Sequence, residues 1–281
     1  MTRIVNNCVA LVCLCLFWGQ SLRAADASHS EQIKWGNESV FNEEHNTLGL
    51  FSGVLGGQIV LAGGTSDDYS RWGRNAVCLS ENAGFALYED VLSKPLAYGA
   101  SITLSDGILC IGGRDSSQCY KDVFLVTMQQ GKLNVSEDWP PLPFPLSNAA
   151  GALLDNKVYL FGGRKSVSPS RLSDSFFVLD LSNKSRGWKE LPGYPGCVRE
   201  DAILVVQNNG VSPCLYLLGG QTETEEGLSS CLTDGYVYNP QLGKWSSLGS
   251  DFPKGICAAV ASGANHILLF QKRSEEHTSE L

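Results

Sequence analysis

Short apolar runs, each closed by a Gly-Gly pair, recur along the chain: "GGQIVLAGG" ends at Gly64, "SDGILCIGG" at Gly113, "LDNKVYLFGG" at Gly163 and "VSPCLYLLGG" at Gly220. Runs this short, bounded by turn residues, read as strands rather than helices. The glycine pairs stand 49, 50 and 57 residues apart. A period of that size is the mark of a repeat architecture.

Each unit has the same grammar. A strand rich in small residues comes first ("AYGASITL", "NAAGALL", "EDAILVV"), then a turn, then the apolar strand ending in Gly-Gly. A variable loop leads to an aromatic strand ("DVFLVTM", "DSFFVLDL", "DGYVYNP"), and a last strand ends near Trp139, Trp188 or Trp245. Four strands per unit is the arithmetic of a β-propeller blade, and Gly-Gly followed by an aromatic strand and a Trp resembles kelch repeats. The predicted fold class is all-β, a kelch-type β-propeller. Small residues at Tyr98-Gly99-Ala100 and Ala149-Ala150-Gly151 are expected where blades crowd the axis, and the glycine pairs where the second strand leaves the blade. Large aromatics are expected to fill the wedges between blades.

The last units break the pattern. "GICAAVASGANHILLF" matches the first two strands of a fifth unit, but "QKRSEEHTSEL" follows where a Gly-Gly is expected. The nine residues 273–281 resemble the translation of a sequencing-library adapter and are read as non-native, with a genuine polar tail as the alternative. "IKWGNES" around Trp35 reads as the last strand of a blade whose other strands come from the far end of the chain. On this reading about four and a half of six blades are present, and the 281-residue chain is expected to be inactive.

Residues 1–24 combine Arg3, the apolar stretch "CVALVCLCLFW" and small residues near Ala24-Ala25. They read as a secretory leader, leaving residues 25–272 as the propeller and a periplasmic or secreted location. The apolar stretch falls short of the roughly 20 residues that span a bilayer, so no membrane association is expected after cleavage. A retained helical anchor is the alternative. Seven cysteines lie outside the leader, an odd number, scattered and without a CxxC pair; they read as small buried hydrophobes rather than metal ligands. The chain carries a net charge of −8, unchanged when the leader and the last nine residues are set aside. An acidic surface disfavours nucleic acid, and an anionic ligand would need a local arginine cluster.

The unit order and motifs resemble the sialic-acid mutarotase family, the exported N-acetylneuraminate epimerases, in its circularly permuted branch. "SGVLGGQIVLAGG" and "LAYGASITLSDGILCIGG" resemble the family's last two blades, and "YPGCVREDAILVV" with "DGYVYNPQLGKWSSL" an early one. The resemblance implies a six-bladed propeller that interconverts the α and β anomers of a sugar acid by acid/base ring opening. It implies no cofactor and no metal. The family's glutamate and arginine acid/base pair belongs to the blade after the interrupted one, so no catalytic residue is assigned.

Substrate contacts are expected on the rim shared by the loops after the glycine pairs and the loops preceding each first strand. Arg114 and Arg164 follow their glycine pairs directly, Arg71 and Arg74 lie in the first long loop, and Arg199 stands at the start of a first strand. Arginine binds carboxylates bidentately, so Arg199, Glu200, Arg114, Arg164 and Arg71 are the candidate binding residues. Arg199 ranks first because it matches an arginine of the family's early blade, with Glu200 and Asp201 orienting it or capping the strand. Solvated loop arginines or blade-to-blade ion pairs are the competing structural reading. Two other functions remain open: a kelch module that binds carbohydrate or protein, and a copper radical oxidase, for which His45 and His266 are a meagre ligand set. The sequons at Asn37, Asn134 and Asn183 matter only in a glycosylating host.

Overall fold

A computed structural model describes residues 48–80, 84–224 and 226–271. The leader, the strand around Trp35, His29, His45, His277 and residues 273–281 lie outside the described residues.

The first blade comprises β1 (Leu48–Leu55), β2 (Gln58–Thr65), β3 (Ala76–Ser80) and β4 (Gly84–Tyr88), paired in chain order. The second repeats this with β5 (Ala100–Thr103), β6 (Ile108–Ile111), β7 (Val123–Gln129) and β8 (Lys132–Ser136). In the third, β9 (Ala150–Leu154) and β10 (Lys157–Phe161) lead into a two-stranded ribbon, β11 (Arg164–Ser166) and β12 (Arg171–Leu172). Its outer half is β13 (Phe176–Asp180), a 3-10 turn over Leu181–Arg186, and β14 (Lys189–Glu190). The fourth has β15 (Ile203–Asn208) and β16 (Pro213–Leu218), a ribbon of β17 (Gln221–Glu223) and β18 (Ser229–Cys231), then β19 (Gly235–Asn239) and β20 (Lys244–Gly249). A hairpin of β21 (Ile256–Ser262) and β22 (His266–Gln271) follows. All pairings are antiparallel, and β1, β5, β9, β15 and β21 stand side by side around the axis. The architecture is that of a β-propeller, as the repeat predicts.

Burial explains why the strands differ in pattern. Second strands lie mid-blade between two neighbours, so β6 is buried throughout and reads as a continuous apolar run. First strands alternate, as β9 does. The outermost, such as β20, are mostly exposed. Two-residue turns with both φ positive join strands at Asp155-Asn156 and Gln130-Gly131, the geometry that matches strand twist in a hairpin.

The glycine pairs are blade-to-blade joints. Gly63, Gly112 and Gly162 adopt φ of 72°, 63° and 67°, and a Cβ there would stand 2.2, 2.2 and 2.6 Å from the carbonyl oxygens of Leu96, Leu146 and Arg199 in the next blade. The second glycine of each pair donates its N–H to that same carbonyl, at 2.9, 2.8 and 2.9 Å. One residue therefore makes room for the neighbour and the next one holds it. The fourth pair differs, because Gly219 meets no such carbonyl and its own oxygen accepts from Arg199.

Apolar side chains fill the wedges. Between the first two blades Phe51 meets Phe124 edge-on amid Val60, Ile108 and Cys110. Between the third and fourth, Phe161, Phe176, Tyr194, Tyr236, Tyr238 and Trp245 form a connected aromatic cluster. Of the expected tryptophans, Trp245 lies within β20, Trp188 precedes β14, and Trp139 follows the end of β8. The seven cysteines are free thiols; Cys110 and Cys214 are fully buried, while Cys197 and Cys231 are exposed.

Candidate functional site

Because strands alternate in direction, each second strand ends on the face from which each first strand starts. Bridges between Ala97 and Arg114, Ser147 and Arg164, and Glu200 and Gln221 extend the two inner strands onto that face. The residues directly after the glycine pairs thus meet the entry segments at one rim, as the sequence predicts.

Among the described residues an incomplete backbone ring links the entry segments of the first four blades at this rim. Tyr98, Asn148 and Asp201 occupy the same place before the first strands of three successive blades, all in the left-handed region at φ of 59°, 55° and 53°. Tyr98 donates its N–H to Gly49 O at 2.7 Å, Asn148 to Tyr98 O at 2.7 Å, and Asp201 to Asn148 O at 3.0 Å. Gly49 and Gly255 hold the corresponding places at φ of 64° and 68°. The ring fixes where the Tyr98, Asn148 and Asp201 side chains start.

Arg164 and Arg114 hold equivalent positions but reach in opposite directions. Arg164 reaches forward to the fourth blade, where its Nε and Nη2 donate to the two oxygens of Glu200 at 2.8 and 2.5 Å, and Nη2 also meets Glu223 at 3.1 Å. Ser170 bonds both Arg164 and Glu223, closing the network. Those bonds and the Glu200 charge hold the guanidinium still more firmly protonated, against a smaller opposing effect of burial.

Arg114 reaches back toward the first blade. Its guanidinium carbon sits 4.7 Å from the centroid of the Tyr98 ring, 5.1 Å from Trp72 and 5.9 Å from Tyr69. The three rings contact one another, and Tyr98 Oη donates to Tyr69 Oη at 3.3 Å. Among the described residues this half-buried cation makes one long hydrogen bond, from Nη1 to Asp115 O at 3.4 Å, and no ion pair. Aromatic faces stabilise a guanidinium without using its N–H donors. Arg114 is thus a positioned cation with its donor edge open.

Asp201 is exposed to solvent, and neighbouring protein atoms crowd its carboxylate. That crowding strips water from the carboxylate and pushes its pKa up to about 6 from 3.8; Glu200 adds to the rise, while the Asn148 hydrogen bond, Arg164 and Arg114 oppose it. Asn148 Nδ2 donates to Oδ1 at 2.9 Å, and Gln221 Nε2 lies 3.4 Å from Oδ2.

Arg199 is the correction. It stands four residues before β15, and it is fully buried between the third and fourth blades rather than open on the rim. Nη1 and Nη2 meet the two oxygens of Asp234 at 2.7 and 2.8 Å, Nη1 also bonds Gly219 O, and Nε bonds Tyr194 Oη. Its guanidinium lies against the Tyr194 and Tyr236 rings. A guanidinium so enclosed ties blades together and has no face for a ligand. Glu200 orients Arg164 rather than Arg199, and Asp201 pairs with Asn148. Arg74 forms an exposed ion pair with Asp90 at 2.6 Å, and Arg71 is exposed with its backbone tied to Thr65 and Ser66.

The sequence reading did not single out Tyr69, Trp72, Tyr98 and Asn148 as site residues. Aligning the segments before the first strands, Tyr98-Gly99-Ala100, Asn148-Ala149-Ala150 and Asp201-Ala202-Ile203, exposes the ring positions. Among the described residues no group of three or more His, Cys, Asp or Glu side chains is placed to hold a metal ion, and His266 lies exposed in β22.

Residues 139–276 match the family model described as N-acetylneuraminate epimerase. The resemblance to the N-acetylneuraminate epimerase family is borne out over this segment. It takes in the third and fourth blades and the following hairpin, with Arg164, Glu200 and Asp201, while Tyr98 and Arg114 lie outside it. Among relatives, an N-acetylneuraminate epimerase of Yersinia pestis (strain Pestoides F) is 30% identical over 139 residues, covering 48% of this chain and 33% of the relative. One from Haemophilus influenzae (strain PittEE) is 31% identical over 131 residues, 47% of this chain and 32% of the relative. A Kelch domain-containing protein of Vibrio cholerae serotype O1 is 31% identical over 121 residues, 43% and 31% respectively. The chain spans about a third of the length of the curated relatives it matches.

Proposed function

We propose that the protein carrying this chain is an exported mutarotase that interconverts the α and β anomers of N-acetylneuraminate, binding the sugar acid at the rim of the propeller. The observation that carries the binding site is Arg114, a half-buried guanidinium braced by Tyr69, Trp72 and Tyr98 with no carboxylate partner among the described residues. A sugar carboxylate supplies the missing acceptor, and its charge is the one that an otherwise acidic chain recruits only locally. Arg164 is already satisfied by Glu200 and Glu223, so it shapes the rim and leaves the ligand charge to Arg114.

The test follows the anomeric proton signals of N-acetylneuraminate by NMR after sialidase release, with affinity measured by calorimetry. Interconversion faster than in buffer supports the reading. Arg114→Ala is expected to weaken binding about 10- to 100-fold, the scale of a charge-assisted hydrogen bond. Binding without acceleration favours a carbohydrate-binding module, and full affinity in Arg114→Ala overturns the assignment of the carboxylate site.

A further inference from the structure

We propose that the loop of residues 65–72 sets the affinity of the sugar-acid site: Tyr69 and Trp72 are positioning residues that hold Arg114 for the ligand carboxylate, and Asp68 is the residue that holds the loop. This rests on the sugar-acid reading for its ligand. It adds a segment that the family match, over residues 139–276, does not reach.

The loop leaves β2 and is built to keep one shape. Asp68 Oδ1 accepts from Ser66 Oγ at 2.5 Å, from the Ser70 N–H at 3.1 Å and from Ser70 Oγ at 2.8 Å. Ser66 Oγ in turn accepts the Arg71 N–H at 3.0 Å, and Thr65 Oγ1 donates to Arg71 O at 2.7 Å. Trp72 Nε1 donates to Tyr69 O at 3.1 Å, which fixes the indole against the turn. The bonds from Ser66 and Ser70 hold the Asp68 carboxyl down to about 2, so it is charged at neutral pH and strengthens them. Residues 67–71 are all exposed, so packing against the core does not account for this order.

Tyr69 is a second, independent observation. It stands at φ 59°, in the left-handed region that bulky residues seldom adopt, and it is 49% exposed. Glycine meets that backbone demand without strain, and a ring half in water adds little to the core. What the ring does touch is Trp72 and Tyr98, at centroid distances of 6.4 and 6.5 Å, and the Arg114 guanidinium at 5.9 Å. Trp72 and Tyr98 approach the same cation more closely, at 5.1 and 4.7 Å. The first blade thus supplies two of the rings that steady a guanidinium belonging to the second. Rings engage its face and leave the N–H edge to a carboxylate lying in its plane. A cation held beforehand loses less rotamer freedom when the ligand arrives, and so binds more tightly.

The experiment measures N-acetylneuraminate affinity by calorimetry, in the protein carrying this chain, for Asp68→Ala, Asp68→Asn and Tyr69→Gly, each alone and combined with Arg114→Ala. Asp68→Ala and Tyr69→Gly are each expected to weaken binding about 3- to 30-fold, the scale of a cation–aromatic contact. In the Arg114→Ala background the same changes should matter less than about twofold, because the loop acts through that cation. Asp68→Asn keeps an oxygen acceptor for the Ser66 and Ser70 donors and should recover part of the loss. Tyr69→Gly removes backbone strain, so its melting temperature should not fall even as affinity does. A merely structural loop would instead lower the melting temperature and leave affinity and coupling unmoved. Unchanged affinity in Asp68→Ala and Tyr69→Gly, or losses that persist in full without Arg114, overturns this inference and leaves the Arg114 site standing. A wild-type protein that does not bind the sugar acid removes the sugar-acid reading; the loop is then judged by the NMR signal of the Arg114 Nε–H, identified by its loss in Arg114→Lys. A ring-shifted signal that moves to the exposed-arginine position in Asp68→Ala and Tyr69→Gly supports the positioning role, and an unmoved signal overturns it.

Discussion

Gly112→Ala tests the claim that the glycine pairs are joints between blades, and Gly131→Ala is its matched control. Both residues have positive φ, 63° and 75°, so an alanine at either suffers the same left-handed penalty of about 1–2 kcal/mol. At Gly131 a Cβ meets nothing within 4 Å. At Gly112 it stands 2.2 Å from Leu146 O, and that oxygen also accepts the Gly113 N–H at 2.8 Å. Restoring an ordinary contact requires a displacement of about 1 Å, which close-packed neighbours resist and which breaks the hydrogen bond. Losing that bond costs about 1 kcal/mol, and leaving its buried partners unsatisfied about 1–3 more. Gly112→Ala should therefore destabilise by about 2–4 kcal/mol beyond Gly131→Ala. Urea titrations followed by tryptophan fluorescence measure the gap, read from midpoints at unchanged slope. Equal destabilisation by the two substitutions would refute the joint, because it would mean that backbone strain alone explains the glycine.

Two further outcomes concern charged groups. Arg199→Leu should destabilise by about 3 kcal/mol, since it strands Asp234, whose carboxyl is held down in pKa by Arg199 against the upward push of burial, and Arg199→Lys should recover little because a point charge cannot reproduce the two-pronged contact; thermal melts decide both. Asp201→Asn should raise the melting temperature at pH 7.5 but not at pH 3.5. The sign follows from the raised pKa: the folded protein holds the Asp201 proton up to about pH 6 and the unfolded chain only to about 3.8, so wild type loses stability as pH climbs through that window and the variant does not.

The blades were legible because their physical demands are local. A continuous apolar run marks a strand buried on both sides, and a left-handed turn beside a foreign carbonyl admits little besides glycine. The rim was legible in position, since strand direction alone puts Arg114, Arg164 and Glu200 on one face. What each arginine does was not legible. Arg199 and Arg164 look alike in the sequence, and their fates are set by Asp234, 35 residues away, and Glu200, 36 residues away, which only the folded blades bring near. The aromatic shelf was hidden for the same reason, because Tyr69 and Trp72 reach Tyr98 and Arg114 from a loop whose path no periodicity encodes.

The ring of left-handed residues connects stability to chemistry. At each of five successive entry segments the backbone turns through positive φ, and glycine meets that demand at Gly49 and Gly255 without steric strain. At Tyr98, Asn148 and Asp201 the chain keeps a side chain instead, at about 1 kcal/mol or more of strain each. The blade-to-blade N–H bonds need only the backbone, so they give no reason for those side chains. Their contacts lie at the rim itself: Tyr98 forms the shelf beneath Arg114, and Asn148 donates to the Asp201 carboxylate. Strain concentrated in three successive blades, where a strain-free residue is available and is used at the neighbouring ones, sets these positions apart from the parts that only build the propeller and coincides with the sector in which we propose that the sugar acid binds.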